Sequence, residues 1–343
     1  MKALTLTEYK KFALEDAPEP ALRPDSVLIA VKACGVCGSD VHGMDGSTGR
    51  RQPPIIMGHE AAGVIDRIGA DVKDWQPGTR VTFDSTIYCG QCDFCRQGMI
   101  NLCENRRVLG VSCGEYRQNG AFAQYVAVPE RVLHRVPDAM PFEHAAMVEP
   151  LSIAFHAVRR ARPAQGDRAV VVGAGLIGLL LVQSLRLAGC RQIIAVDIAP
   201  NKLALAQKLG ATETVDSGGA GALKKIMDLT NGRGADCAFE AVGIAPTVDL
   251  AIRSARKGGS VTLVGNVAPT VEFPLQVCVT REITLYGSCA SCGEYPDCLQ
   301  AIASGKIDVA PLISAVAPLE EGAAWFERLY RREPGLIKVI LAP

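Results

Sequence analysis

The strongest constraint on the fold is one short string, Val170-Val171-Val172-Gly173-Ala174-Gly175-Leu176-Ile177-Gly178. An apolar, β-branched run enters G-x-G-x-x-G, and a helix-period apolar pattern over 176–187 leaves it. Gly173 permits a tight turn, Gly175 lets backbone approach a pyrophosphate, and Gly178 allows close helix–strand packing. The helix start presents free amides and partial positive charge to phosphate groups. A lone glycine fingerprint is a weak signal, so its surroundings decide. Strand-like runs at 169–172, 192–196, 235–239, 260–264 and 283–286 alternate with helical periods such as 176–187 and 201–209. Such alternation requires crossovers and a parallel sheet covered by helices. Gly189 and Gly210 stand where those two helices should end, as C-cap glycines do. The second strand ends at Asp197, nineteen residues beyond Gly178. Its carboxylate can accept from both adenosine ribose hydroxyls and repels a 2′-phosphate, so NAD is expected over NADP. Ile198-Ala199-Pro200 follows in place of an arginine, and Lys202 lies five residues on. The alternative is a glycine-rich turn that binds nothing, with Asp197 an ordinary strand-end acid.

The flanking regions read differently. Residues 1–150 carry short apolar runs (27–31, 61–65, 125–128) broken by Gly, Pro and Asp, a β-rich and loop-rich pattern. Residues 151–290 hold the alternating segment, and 291–343 hold helical stretches at 297–303 and near 319–331 with a final strand at 338–341. A chain of 343 residues suits such a multidomain division. Its 36 basic and 36 acidic side chains cancel, so no net field favours nucleic acid or an anionic membrane. With 21% charged and 48% apolar residues, the composition is that of a packed globule. The longest near-continuous apolar stretch, 169–182, contains three glycines and is too short to cross a bilayer. The first residues lack the basic and apolar regions of a secretory signal, so a cytoplasmic location is expected.

Thirteen cysteines is the one abnormal count. An odd number cannot pair completely, and without a secretory signal reduced thiols serving a metal fit better than disulfides. Cys89, Cys92, Cys95 and Cys103 form C-x2-C-x2-C-x7-C. Four thiolates in one short loop close a tetrahedron around Zn²⁺ with no place left for water, which marks a structural site. Backbone amides with Arg96, Arg106 and Arg107 are expected to offset the surplus negative charge. An iron–sulfur cluster or a metal-free cysteine-rich loop are the alternatives. Cys289-x2-Cys292 with Cys298 lacks a fourth ligand nearby and reads as free thiols near the cofactor, not as a third metal site or a redox pair.

A second metal site is suggested by Gly35-Val36-Cys37-Gly38-Ser39-Asp40-Val41-His42 and by Gly58-His59-Glu60-Ala61-Ala62-Gly63. Thiolate, imidazole and carboxylate from separate loops can make a three-ligand site with one open position, which catalytic zinc needs. With these residues in view, the chain resembles the zinc-containing medium-chain dehydrogenase/reductase family, the alcohol and polyol dehydrogenases. The family's signature GHE-x2-G-x5-G-x2-V is met by Gly58, His59, Glu60, Gly63, Gly69 and Val72. The four-cysteine lobe and the glycine fingerprint follow in the expected order, so the resemblance covers essentially the whole chain. Glu149-Pro150-Leu151-Ser152, followed by His156-Ala157, resembles the sorbitol (L-iditol) and galactitol-phosphate dehydrogenase branch.

The resemblance implies an α/β architecture: a GroES-like β-barrel catalytic domain carrying the structural zinc lobe (89–103), and a Rossmann doubly wound parallel sheet. It implies a catalytic zinc in the cleft between them, and a C-terminal segment that returns to the catalytic domain. Cys37 and His59 carry over as ligands. Glu149 carries over as a ligand or as holder of the zinc-bound water, and Glu60 as a ligand or a group just behind the metal. Ser39 and His42 fall where the family has its hydroxyl-to-imidazole proton relay. Ile177, Asp197, Lys202, Val264-Gly265-Asn266 and Ser288-Cys289 are implied to line the NAD pocket beside Gly173, Gly175 and Gly178. The implied activity is hydride transfer from a secondary alcohol, polyol or sugar-like, to NAD, in a homodimer or homotetramer with two zinc ions per chain. A threonine-type or simple secondary-alcohol dehydrogenase is the nearer alternative, and a non-catalytic dinucleotide-binding relative the distant one. Two positions depart from the sorbitol-type pattern: Gly43 where an aromatic residue is usual, and Ala290 where an arginine is usual. His134, His144 and His156 read as packing or surface residues, and Arg50 and Arg51 as a solvated loop in preference to a sugar-phosphate site.

Overall fold

Residues Pro150–Ala290 fold around six parallel strands. Across the sheet these run Glu213–Asp216, Gln192–Asp197, Arg168–Val172, Ala235–Glu240, Ala255–Leu263 and Thr284–Gly287. The strand that comes first in sequence sits inside the sheet, and the chain winds outward from it on both sides. Order therefore reverses between Arg168–Val172 and Ala235–Glu240, and the crevice beyond the carboxyl ends there is where such sheets bind ligands. Val170, Val172, Ile194, Val196, Ala238 and Val261 are buried in one core, as expected of strands covered on both faces. The helix Leu176–Leu187 starts directly after the glycine turn and ends before Gly189, which has φ +87°.

Two details differ from the sequence reading. The strand Glu213–Asp216 was not expected, because its sequence ETVD has one buried residue and lies at a sheet edge. The strand read as 260–264 begins at Ala255 and passes through Gly258 and Gly259, a pair that reads as a breaker but here marks an irregular, bent start.

The computed structural model describes residues 1–112 and 117–343, and its other unit combines Met1–Glu149 with Ser291–Pro343. Its larger sheet runs Leu133–Arg135, Arg80–Phe83, Glu60–Ile68, Ser26–Gly35, Lys338–Ala342 and Ile313–Pro318, with Tyr125–Pro129 also paired to Ser26–Gly35. A smaller sheet holds Lys11–Asp16, Lys2–Glu8 and Ile55–Ile56. Leu4, Leu6, Val27, Ile29, Phe83, Phe122 and Leu341 share one buried core. The helix Gly322–Tyr330 inserts Phe326 into it, stacked on Phe12 at 4.4 Å with Phe122 edge-on at 5.7 Å. The last strand pairs antiparallel with Ser26–Gly35, setting Ile340 opposite Gly35 and Leu341 opposite Cys34. Among the described residues no helix is long and apolar enough to cross a membrane.

Candidate metal centres and dinucleotide site

Register builds the first site. Gly35 and Glu60 face each other across the antiparallel pair Ser26–Gly35 and Glu60–Ile68. Cys37, just past one strand, and His59, just before the other, are thereby neighbours. Gly35 leaves room for the Glu60 carboxylate here, because a Cβ on it would lie 2.2 Å from Glu60 Oε2. Cys37 is the N-cap of the short helix Gly38–Gly43, and its sulfur accepts from Ser39 N at 3.4 Å and from Ser39 Oγ at 3.3 Å. The ligand atoms of Cys37, His59 and Glu60 all lie within 4.8 Å of one another.

Electrostatics at this place favour a cation. Desolvation, with Glu60 alongside, pushes the Cys37 thiol up to about 12. Glu149, in the first turn of Val148–Ala161 and 9% exposed, is held well above the usual carboxylate range. Burial is the main cause; His59 opposes it, and Glu60 and Cys37 add to it. Groups that resist ionising alone ionise readily around a dication, and a sulfur, nitrogen and oxygen donor set suits zinc. Glu149 stands outside the 4.8 Å group but shares its electrostatics.

The surrounding shell holds three residues to which the sequence reading gave no role at this site. Asp40 is 0% exposed, and its Oδ1 accepts from Arg51 Nε at 3.0 Å and Arg51 Nη2 at 2.8 Å. Its Oδ2 lies 3.5 Å from His59 Nδ1, and neither atom has a hydrogen-bond partner. That orientation leaves Nε2 as the imidazole nitrogen available to a metal. Arg51, 3% exposed, also donates to Ser39 Oγ at 3.2 Å. The expectation of a solvated loop is therefore corrected for Arg51, whose charge is committed to a buried carboxylate. Lys338, 1% exposed, donates to Val36 O at 2.8 Å and to Glu60 Oε2 at 2.5 Å. Asp40 carried a sequence signal in the spacing Cys37-x2-Asp40; Lys338 carried none, being 278 residues from its partner. His42 is half-buried, three residues after Ser39 on the same helix.

The second group is local. The sulfurs of Cys89, Cys92, Cys95 and Cys103 also lie within 4.8 Å of one another, with Cys89–Cys95 at 4.0 Å and Cys92–Cys103 at 3.9 Å. A tetrahedron with Zn–S of about 2.3 Å has edges of about 3.8 Å, so these spacings suit zinc. Amides serve the sulfurs: Cys89 N donates to Cys103 at 3.2 Å, and Gln91 N and Cys92 N donate to Cys89 at 3.5 and 3.4 Å. The last two pull Cys89 down to about 6, whereas desolvation pushes Cys95 up to about 12. Two of the three arginines expected to help have other partners: Arg96 has Asp93 and Gln91 O, and Arg106 has Asn101 O.

In the sheet unit, Gly173 has φ +98°, and a Cβ on Gly178 would lie 1.8 Å from Gly173 O. Gly175 faces open space at the start of Leu176–Leu187. Asp197 closes this turn from the side: Oδ2 accepts from Ala174 N at 2.7 Å and Oδ1 from Ala199 N at 2.9 Å. Each carboxylate oxygen keeps accepting capacity for a ribose hydroxyl. Val264 N and Gly265 N donate to Glu240 O at 2.9 and 3.0 Å, and a Cβ on Gly265 would lie 2.2 Å from Gly243 N. Ser288 N donates to Leu263 O at 3.0 Å, and Ser288 Oγ is buried without a partner. Ile177 and Lys202 are half-buried, and Asn266 and Cys289 exposed.

Other residues singled out above take structural places. His134 stacks on Tyr295 at 4.9 Å, and burial pushes its imidazole down to about 4. His156 is buried in Val148–Ala161, and His144 half-buried in Phe142–Ala146. Cys298 is fully buried and Cys292 Sγ lies 3.0 Å from Gly98 O. Among the described residues, only the two groups above have metal-ligand geometry.

The description "Alcohol dehydrogenase GroES-like domain" matches residues 23–138, and "Zinc-binding dehydrogenase" matches 177–304. The sorbitol dehydrogenase of Bacillus subtilis (strain 168) is 33% identical over 348 aligned positions, covering 100% of this chain and 97% of that protein. Alcohol dehydrogenase TADH from Thermus sp. ATN1 superposes with a TM-score of 0.93 at 31% identity, covering 100% of this chain and 99% of that one. A zinc-binding dehydrogenase of Sinorhizobium meliloti 1021, solved bound to NADP, superposes with a TM-score of 0.90 at 32% identity, again covering 100% and 99%. With its β-rich unit, its doubly wound sheet and these matches along its whole length, the chain belongs to the zinc-containing medium-chain dehydrogenase/reductase family of alcohol and polyol dehydrogenases.

Proposed function

We propose that this protein oxidises a secondary alcohol of a polyol or sugar-like substrate, with zinc and NAD as its cofactors. The observation that carries the reading is the convergence of Cys37, His59 and Glu60 within 4.8 Å, with Glu149 electrostatically tied to them. The similarity to a sorbitol dehydrogenase supports the substrate class. Zinc held at this place supplies Lewis acidity to an alcohol oxygen, and NAD accepts the hydride.

The protein's own residues do the rest. Cys37, His59 and either Glu60 or Glu149 hold the ion, and Asp40 Oδ2, 3.5 Å from His59 Nδ1, favours Nε2 as the nitrogen that faces it. Lys338 cancels the charge of Glu60, so Cys37 and Glu149, both ionised, would balance a dication. The substrate proton passes to Ser39 Oγ and onward to His42, since an imidazole can take up a proton and release it to solvent. A second zinc occupies Cys89, Cys92, Cys95 and Cys103 and has a structural role. Asp197 favours NAD, because a 2′-phosphate would meet a carboxylate. The open edge strand Thr284–Gly287, with exposed Leu275, Val279 and Leu285 nearby, supports self-association through the sheet unit.

Elemental analysis with a substrate panel tests this reading. We expect two zinc equivalents per chain and NADH formation with at least one polyol, sugar phosphate or secondary alcohol. Cys37→Ser should abolish turnover while NADH binding persists; a variant that keeps most of its rate removes Cys37 from the chemistry. A second reading, a simple secondary-alcohol dehydrogenase, is favoured by Gly43 and Ala290, which leave out two side chains usual in the sorbitol branch. Turnover of small alcohols but of no polyol selects it.

A further inference from the structure

We propose that Arg51 is a positioning residue that fixes the direction of the Ser39 hydroxyl, and that Gly43 lacks a side chain in order to admit it. The inference rests on the relay assigned above to Ser39. A serine oxygen has one proton and two lone pairs. Here one lone pair is taken by Arg51 Nη2 at 3.2 Å, and the proton has Cys37 Sγ as its acceptor at 3.3 Å. One accepting direction remains open. A proton leaving the substrate hydroxyl must arrive along it: the substrate O–H bond breaks, a new O–H bond forms on Oγ, and the original hydroxyl proton turns from Cys37 Sγ and passes to the His42 imidazole, which gives it up to solvent. Serine ends neutral, and Arg51 keeps its charge and all its protons throughout.

The guanidinium is itself held rigidly. Nε and Nη2 both bind Asp40 Oδ1, and the side chain is almost wholly enclosed. Its stem crosses Gly43: a Cβ there would lie 2.4 Å from Arg51 Cγ and 3.3 Å from Arg51 Cβ. Those atoms sit near the backbone end of the arginine and cannot swing aside. Any side chain at position 43 therefore displaces the guanidinium. The bare backbone at 43 and the buried position of Arg51 therefore go together. A lysine could neutralise Asp40 equally well, but its single ammonium lacks the fork that reaches Ser39 as well.

The test compares wild type, Ser39→Ala, Arg51→Lys and the double variant as zinc-loaded enzyme with the best alcohol from the panel. It measures kcat, KM, the solvent deuterium isotope effect, zinc content and the thermal midpoint. For Arg51→Lys we expect zinc content and midpoint close to wild type, KM within about twofold, kcat lower by about tenfold, and a larger solvent isotope effect. In the Ser39→Ala background the same change should add nothing, since a residue that acts through Ser39 loses its effect without it. Gly43→Ala should reproduce the kcat loss, again only when Ser39 is present, and it serves alone if Arg51→Lys does not fold. A wild-type rate for Ser39→Ala overturns the relay and this inference together. A loss from Arg51→Lys or Gly43→Ala that multiplies in full with Ser39→Ala, or no loss from either, overturns this inference alone.

Discussion

Lys338→Met should separate the metal-free protein from the zinc-loaded one. Lys338 and Glu60 are each 1% exposed, and the ammonium also serves Val36 O. Methionine matches the stem but carries no charge, so the substitution leaves a buried carboxylate without its countercharge. Removing one member of such a pair costs about 3–5 kcal/mol. With a urea m-value of about 3 kcal/mol/M, the loss corresponds to a midpoint lower by about 1–1.7 M. That cost applies when no cation lies beside Glu60. In the loaded protein a dication lies beside Glu60 and offsets part of that cost, so the midpoint should fall by about half as much. The assay is urea unfolding of wild type and variant, each with and without zinc, with tryptophan emission as the signal: Trp75 and Trp325 both pack against the core of the β-rich unit that contains the pair. Equal losses in both states would refute the reasoning, because they would mean that Glu60 does not share its charge with the metal.

Two further predictions follow from other residues. Asp84, 4% exposed, accepts from Thr86 N at 2.8 Å and Ser291 Oγ at 3.3 Å, yet burial outweighs both bonds and raises it to about 7, with Glu294 adding to the rise. A carboxyl raised in the folded state contributes stability below its unfolded pKa and loses it as pH rises through the folded value. The thermal midpoint of wild type should therefore fall between about pH 4 and pH 7 relative to Asp84→Asn; parallel curves for the two proteins would remove Asp84 as the cause. Asp197→Ser should raise the NADP-to-NAD ratio of kcat/KM by at least about tenfold by removing the charge that meets a 2′-phosphate, and an unchanged ratio would place cofactor choice elsewhere.

What the sequence made legible was mostly local. The glycine turn announces itself because its three glycines, its strand and its helix are contiguous, and the four-cysteine group because its members lie within one loop. Pattern failed where composition gave no contrast, as in the polar edge strand Glu213–Asp216, or where glycines read as breakers, as in Ala255–Leu263. Around Cys37 the three first candidates were visible in two short motifs. Their support was not, because the pairs Asp40–Arg51 and Glu60–Lys338 depend on strand register and on a return of the chain from its far end. Arginines mislead for a related reason: Arg96 and Arg106 lie close to the thiols in sequence but satisfy carbonyls, whereas Arg51 looks like loop and is buried.

The strand Lys338–Ala342 has a consequence for synthesis. A ribosome releases Cys37, His59 and Glu60 early, and the whole parallel sheet afterwards, before the lysine that balances Glu60 exists. Until Lys338–Ala342 is made the nascent β-rich unit lacks both a strand and a countercharge, whereas the sheet unit has every residue it needs once Ala290 is made. Connectivity thus lets the parallel sheet be complete before the β-rich unit receives the strand that carries Lys338.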